Sequence, residues 1–266
     1  MKLLAGLVGR VPLPLCAGLA RLLSWTWWLL VPVRRRVAVR NLALAFPELE
    51  PGPTLRRMML ELVLGYCELL HWARGRRVVR FVGWEPLRER CQAGQGTLFV
   101  GGHGGAFELA LLSGSKEAGV RASVFARQVE QPSVAALVEA WRRKSGLEFL
   151  APSRSMERGH DALQRGSVLV FAMDQRHGRG LPIEFFGKPA WTAPAVAAAA
   201  TRTGLPVYAG WVVRTGLGDH EATLYGPLEM TGDLQTDLRS INAWLEQRIR
   251  ETPHAWLWMH DRWRAP

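Results

Sequence analysis

Short apolar runs that alternate with helix-patterned stretches constrain this chain more than any other feature of it. Val78–Val82, Thr97–Val100, Ala122–Ala126, Leu147–Leu150, Val168–Met173 and Val207–Val213 read as strands, with a last one at Ala222–Tyr225. Helices are predicted at Ala106–Ser115, Ser133–Lys144, Met156–Gln164, Thr192–Thr203 and Leu234–Arg250. This alternation implies an α/β layered domain with a mostly parallel central sheet flanked by helices, in which ligands sit beyond the carboxyl ends of the strands. Chemistry is therefore expected just after a strand.

The amino-terminal part has a different pattern. From Leu13 to Val33 the 21 residues are apolar apart from Arg21 and a few small polar side chains. As a helix they would span roughly 30 Å, enough to cross a bilayer. Arg21 and the flanking Pro12, Pro14 and Pro32 equally allow a helix that lies in the interface. Trp25, Trp27 and Trp28 suit a headgroup-level belt, and Arg34-Arg35-Arg36 follows at once. Residues 1–36 are thus expected to be an uncleaved membrane anchor with its basic side in the cytoplasm, and residues 37–266 the catalytic domain. Pro51-Gly52-Pro53 then breaks the chain before a second strongly apolar helix, Thr54–Ala73.

Lys and Arg number 34 against 23 Asp and Glu, a net charge of +11 that favours an acidic partner such as anionic lipid, an acidic carrier protein or nucleic acid. No helix-turn-helix, zinc or RNA-binding signature accompanies it, so nucleic acid is not expected. Cys16, Cys67 and Cys91 are odd in number and widely spaced, which indicates neither a disulfide framework nor a metal site.

The run Leu98-Phe99-Val100 ends in Gly101-Gly102-His103-Gly104-Gly105-Ala106-Phe107-Glu108. On one continuous helix His103 and Glu108 would lie about 140° apart and could not meet. The four glycines permit a turn that brings a carboxylate in the first helical turn back toward the imidazole. The expected outcome is a general base, His103, held in one tautomer by Glu108 and able to take a proton from an attacking hydroxyl. Asp174 and Gln175, closing the strand Val168–Met173, are expected to shape the site. Arg176 would pair with Asp174 or with a phosphate. Arg127 at a strand end and Arg142 and Arg143 at a helix end can form an oxyanion site, since guanidinium groups bind such anions at two points. His71, His160, His177, His220, His254 and His260 read as structural or surface residues. The Gly178–Trp191 loop, with Phe185 and Phe186, would gate a channel, touch membrane or pack in the core, and Arg214–His220 reads as a flexible turn.

Five blocks in order resemble the lipid A biosynthesis acyltransferases, a family within the lysophospholipid acyltransferase superfamily. They are Arg40-Asn41-Leu42 running to Phe46-Pro47-Glu48; Gly102–Ala110, with Ala106-Phe107 where many members have Asn-Trp; and Arg127, Pro132, Arg142 or Arg143 and Gly146. The fourth is Asp174-Gln175 with Phe185–Ala190 and Thr192, and the fifth Trp256–Trp263. The resemblance implies transfer of a fatty acyl chain to a hydroxyl of a lipid A precursor at the cytoplasmic face of a bacterial inner membrane. The donor would be an acyl carrier protein thioester or acyl-CoA. It also implies that the partners are acyl carrier protein and a membrane glycolipid, and that no cofactor or metal is used beyond the thioester co-substrate. Another glycolipid or lysophospholipid acceptor, such as a phosphatidylinositol mannoside, keeps the same chemistry. The ordinary glycerolipid branch is disfavoured because no Phe-Pro-Glu-Gly-Thr-Arg-like block follows the His-x-x-x-x-Glu motif.

Overall fold

The computed structural model describes residues 9–31, 33–76, 78–125, 132–151 and 154–264. Three helices come first: α1 (Leu13–Leu29), α2 (Arg35–Ala45) and α3 (Pro51–Ala73). The α/β part follows as β1 (Val79–Val82), α4 (Glu85–Gln92), β2 (Thr97–Gly101), α5 (Phe107–Glu117), β3 (Ala122–Phe125), α6 (Pro132–Ser145), β4 (Glu148–Leu150), α7 (Ser155–Gln164) and β5 (Val168–Ala172). It closes with β6 (Leu181–Phe185), β7 (Lys188–Thr192), α8 (Ala195–Thr203), β8 (Val207–Gly216), β9 (Asp219–Leu228), α9 (Leu234–Glu251) and a 3-10 turn at Pro253–Ala255.

The seven-stranded sheet has the order β1-β9-β8-β2-β5-β3-β4, and every neighbouring pair is parallel except β8 with β9. The mostly parallel sheet expected from the alternation is thus present. Its central strands β2 and β5 are buried apolar runs, as strands covered by helices on both faces must be. Helices α2 and α4 were not legible as such, nor were two regions read as loop or turn. Residues 178–191 contain an antiparallel hairpin, β6 with β7, and Arg214–His220 is the tight end of the β8–β9 hairpin. Phe185 and Phe186 are buried against Phe46, Trp256 and Trp263, so core packing is the alternative that holds for them.

Of the two arrangements open for the amino-terminal anchor, spanning or interfacial, the spanning one requires correction. Among the described residues no helix is long and apolar enough to cross a membrane. Helix α1 has 17 residues, about 25 Å of rise. Its buried positions Leu13, Cys16, Ala20, Ser24 and Trp27 follow helical spacing along one stripe, and Cys16 and Ala20 pack with Leu64 and Cys67 of α3. Ser24 donates to Arg56 O on α3 at 2.6 Å. The opposite stripe, Leu15, Leu19, Leu22, Leu23 and Leu29, faces outward, with Leu22 63% exposed. High apolar content arose because one face serves the fold while the other is left open.

Candidate active site

Strand register places two residues side by side. Gly101 of β2 pairs with Ala172 of β5, and Met173 N–H donates to Gly101 O at 2.9 Å, so His103 and Asp174, each two residues further on, emerge together at the carboxyl ends of adjacent parallel strands. Asp174 is buried and accepts three hydrogen bonds: from His103 N–H at 2.6 Å, from the His103 ring at Nδ1 at 2.8 Å, and from Trp256 Nε1 at 2.8 Å. Burial pushes the Asp174 carboxyl up, but the charge and hydrogen bonds of His103 and the Trp256 bond outweigh it and hold the group below its ordinary range. Burial alone would depress the His103 imidazole. Asp174, with a smaller contribution from the charge of Glu108, raises it above its ordinary value.

The glycines let this happen. A Cβ on Gly104 would meet the Trp211 ring at 2.2 Å, and one on Gly105, whose φ is +56°, would meet Val212 O at 2.4 Å. The loop therefore lies directly against β8, and its outer side is bridged to the carboxyl-terminal segment. Gly105 N–H donates to Ala255 O and Leu257 N–H to His103 O. The Trp256–Trp263 block is in turn fixed from both sides. Buried Asn41 donates to the carbonyls of Trp258 and His260, while Arg262 donates to the carbonyls of Gln175 and Trp191 and to Thr192 Oγ1. Four of the five sequence blocks thus meet around one imidazole, and the described part of the third, Arg142 to Gly146, lies elsewhere.

The carboxylate on the imidazole is the main correction. Glu108 is in the first turn of α5, close enough to act on His103 through charge, but its hydrogen-bond partner is Tyr66 Oη at 3.3 Å, not the ring. Burial raises the Glu108 carboxyl, and burial with the neighbouring Glu108 charge pushes the Tyr66 hydroxyl up to about 12. A five-residue spacing showed that the two could approach; it could not show that the strand register supplies Asp174 first. With Nδ1–H given to Asp174, Nε2 carries the lone pair and accepts from Gln175 Nε2 at 3.1 Å.

Other expected site residues are placed differently. Arg127 lies outside the described residues. Arg142 stacks on Phe149, its guanidinium carbon 4.4 Å from the ring centre, and Arg143 pairs with Glu139 on its own helix. Both belong to the β4 side of the sheet, three strands or about 14 Å from β2. Arg176 does not pair with Asp174. Its backbone N–H donates to His260 Nε2 and its Nε to Arg264 O, which ties down the carboxyl-terminal segment. The structural roles that sequence reasoning missed are those of Trp256 and Arg262, whose indole and guanidinium nitrogens hold Asp174 and the loop after it.

Below His103 opens a cavity of about 300 Å3 between α5 and the sheet. Its walls include Phe99, Phe107, Leu111, Val170 and Trp211, no charged side chain lines it, and His103 sits at its rim. Along α5 the lining runs from Phe107 to Ser115, about 12 Å at helical rise.

Residues 2–265 match the sequence model of the bacterial lipid A biosynthesis acyltransferases. The chain belongs to that family. Membership carries acyltransferase chemistry, in accord with a carboxylate-bonded imidazole lining an apolar cavity. Comparison with curated proteins finds no match.

Proposed function

We propose that this acyltransferase moves a fatty acyl chain from an acyl carrier protein or coenzyme A thioester to a hydroxyl of a lipid A precursor. The observation that carries the reading is the His103–Asp174 pair opening on a deep, uncharged cavity. In this reading the acyl chain fills the cavity and brings its thioester carbonyl to the rim. The acceptor hydroxyl displaces the Gln175 amide from His103 Nε2, which takes its proton as the oxygen attacks the carbonyl. Asp174 stabilises the resulting imidazolium and keeps the ring in the productive tautomer, while Glu108 adds negative charge nearby without touching the ring. Collapse of the tetrahedral intermediate then releases the thiol, which recovers the proton from Nε2.

The same reading places the protein at the cytoplasmic face of the inner membrane. The outward stripe of α1 and the adjacent Leu30, Val31 and Val33 are exposed and suit a helix lying in the interface. The +11 charge suits both anionic lipid and an acidic carrier protein.

The test is incubation of the purified protein with acyl carrier protein thioesters and a lipid A precursor, alongside His103→Ala, with mass spectrometry of the acceptor. A gain of one acyl group that His103→Ala abolishes is expected. No gain with any thioester would reject lipid A precursor as acceptor.

A further inference from the structure

A second cavity, of about 380 Å3, lies between α1, α3 and the end of β8. Arg21, Arg57 and Arg214 all line it, together with the Glu61 carboxylate, which Arg57 and His254 engage, and with Ala17, Leu60, Leu64 and Leu217. Arg214 is 9% exposed. One of its terminal amino groups bonds Glu68, the other donates to Glu61 O at 3.4 Å, and its buried Nε has no partner among the described residues. Arg57 engages Glu61 through Nε at 2.7 Å, leaving its two terminal amino groups for a ligand. Arg21 makes no hydrogen bond or ion pair among the described residues.

The local carboxylates are already occupied. Glu61 lies 3.4 Å from His254 besides its bond to Arg57, and Glu68 binds His220 and Arg214. Three guanidinium groups against two carboxylates leave one positive charge over, and Arg21 stands between the exposed Leu19 and Leu22 of α1. Guanidinium groups recognise phosphate at two points, and an apolar rim beside them suits a ligand with a hydrocarbon part.

We propose that this cleft is a phosphate cradle for a lipid headgroup, with Arg21 and Arg57 reaching the phosphate and Arg214 forming its floor. The binding does not depend on the acyl-transfer reading, and Glu61 connects the two regions because it also lines the crevice beside Tyr66 and Glu108.

The full chain would be sedimented with phosphatidylcholine vesicles carrying either phosphatidic acid or phosphatidylglycerol at equal surface charge. Arg21→Ala/Arg57→Ala is compared with a control that removes two exposed arginines elsewhere, Arg202→Ala/Arg239→Ala. The cleft variant should lose about tenfold in affinity for phosphatidic acid vesicles and the control less than about twofold, since charge-assisted bonds to a phosphate monoester are lost only in the first. Inorganic phosphate that competes in the wild type but not in the cleft variant would support the cradle and extend it to the free ion. Equal losses in the two variants, with no competition by phosphate, would overturn it. In the acyltransferase assay, a raised KM for phosphorylated acceptor with unchanged kcat would assign the headgroup to the acceptor, and an unchanged KM to bilayer lipid. Absence of any acyl transfer would bear on the catalytic reading alone.

Discussion

Two histidine–carboxylate pairs, each on a buried carboxylate, can be compared within this chain. His103 with Asp174 and His220 with Glu68 have the same 2.8 Å contact, and in each the carboxylate accepts three hydrogen bonds and is held below its ordinary range despite burial. They differ in what the far side of the ring meets. His103 is 18% exposed, and its Nε2 is held only by a side-chain amide at a cavity mouth. His220 is fully buried, and its Nδ1 has neither partner nor opening. A carboxylate-held imidazole is therefore not sufficient for chemistry. The pair at the carboxyl ends of β2 and β5 faces a cavity, and the pair between α3 and the β8–β9 hairpin is enclosed in the fold.

His103→Ala should break the comparison most strongly, lowering kcat by about 1,000-fold, in line with loss of a general base, while circular dichroism shows an intact fold. Asp174→Asn should follow at about 100-fold, because the tautomer and the imidazolium lose their support while the cavity is kept. An activity loss below about threefold in either would remove the distinction between the two pairs.

His220→Gln should show the opposite profile. It leaves the Glu68 charge buried with Arg214 and a backbone N–H as its remaining partners, destabilising the fold by about 2–3 kcal/mol, or several degrees of Tm. Activity per folded molecule should stay within about twofold. Comparable loss of kcat at full occupancy of the folded state would show that the second pair also serves the reaction.

The smallest effects sharpen the account of the site. Glu108→Gln should lower kcat only about threefold to tenfold, since it acts on the ring through charge alone. Gly114→Leu would narrow the deep end of the cavity, where a Cβ already comes within 3.8 Å of the Phe81 ring. The preferred acyl chain should shorten by about two to four carbons in a competition among thioesters, with little change in rate for the shortest.

These contrasts also mark where the sequence was informative. His103 was legible because an apolar run ending in glycines fixes a strand end. Asp174 was legible for the same reason, as the residue closing Val168–Met173, but its bond to His103 depends on the β2–β5 register, which local pattern does not encode. Glu108 was overweighted because it is near in sequence. His220 and Glu68 lie 152 positions apart, so no spacing could link them. For helix α1 the spanning and interfacial alternatives stayed open because apolar content does not separate a stripe packed on α3 from a stripe left outward. The resemblance brought Trp256–Trp263 into view as a block, although the indole and guanidinium bonds that make it part of the site belong to the tertiary structure.

The central claim, that Asp174 and not Glu108 sets the state of the base, can be tested without any substrate. Long-range 1H–15N spectra of histidine-labelled protein would be recorded across pH for the wild type, Asp174→Asn and Glu108→Gln. Burial lowers the His103 pKa and Asp174 more than restores it, so the wild-type ring should titrate above the ordinary 6.5 and be protonated on Nδ1 once neutral. The pKa should fall below 6.5 in Asp174→Asn and shift only slightly in Glu108→Gln. A large fall in Glu108→Gln, with Asp174→Asn titrating like the wild type, would contradict the account.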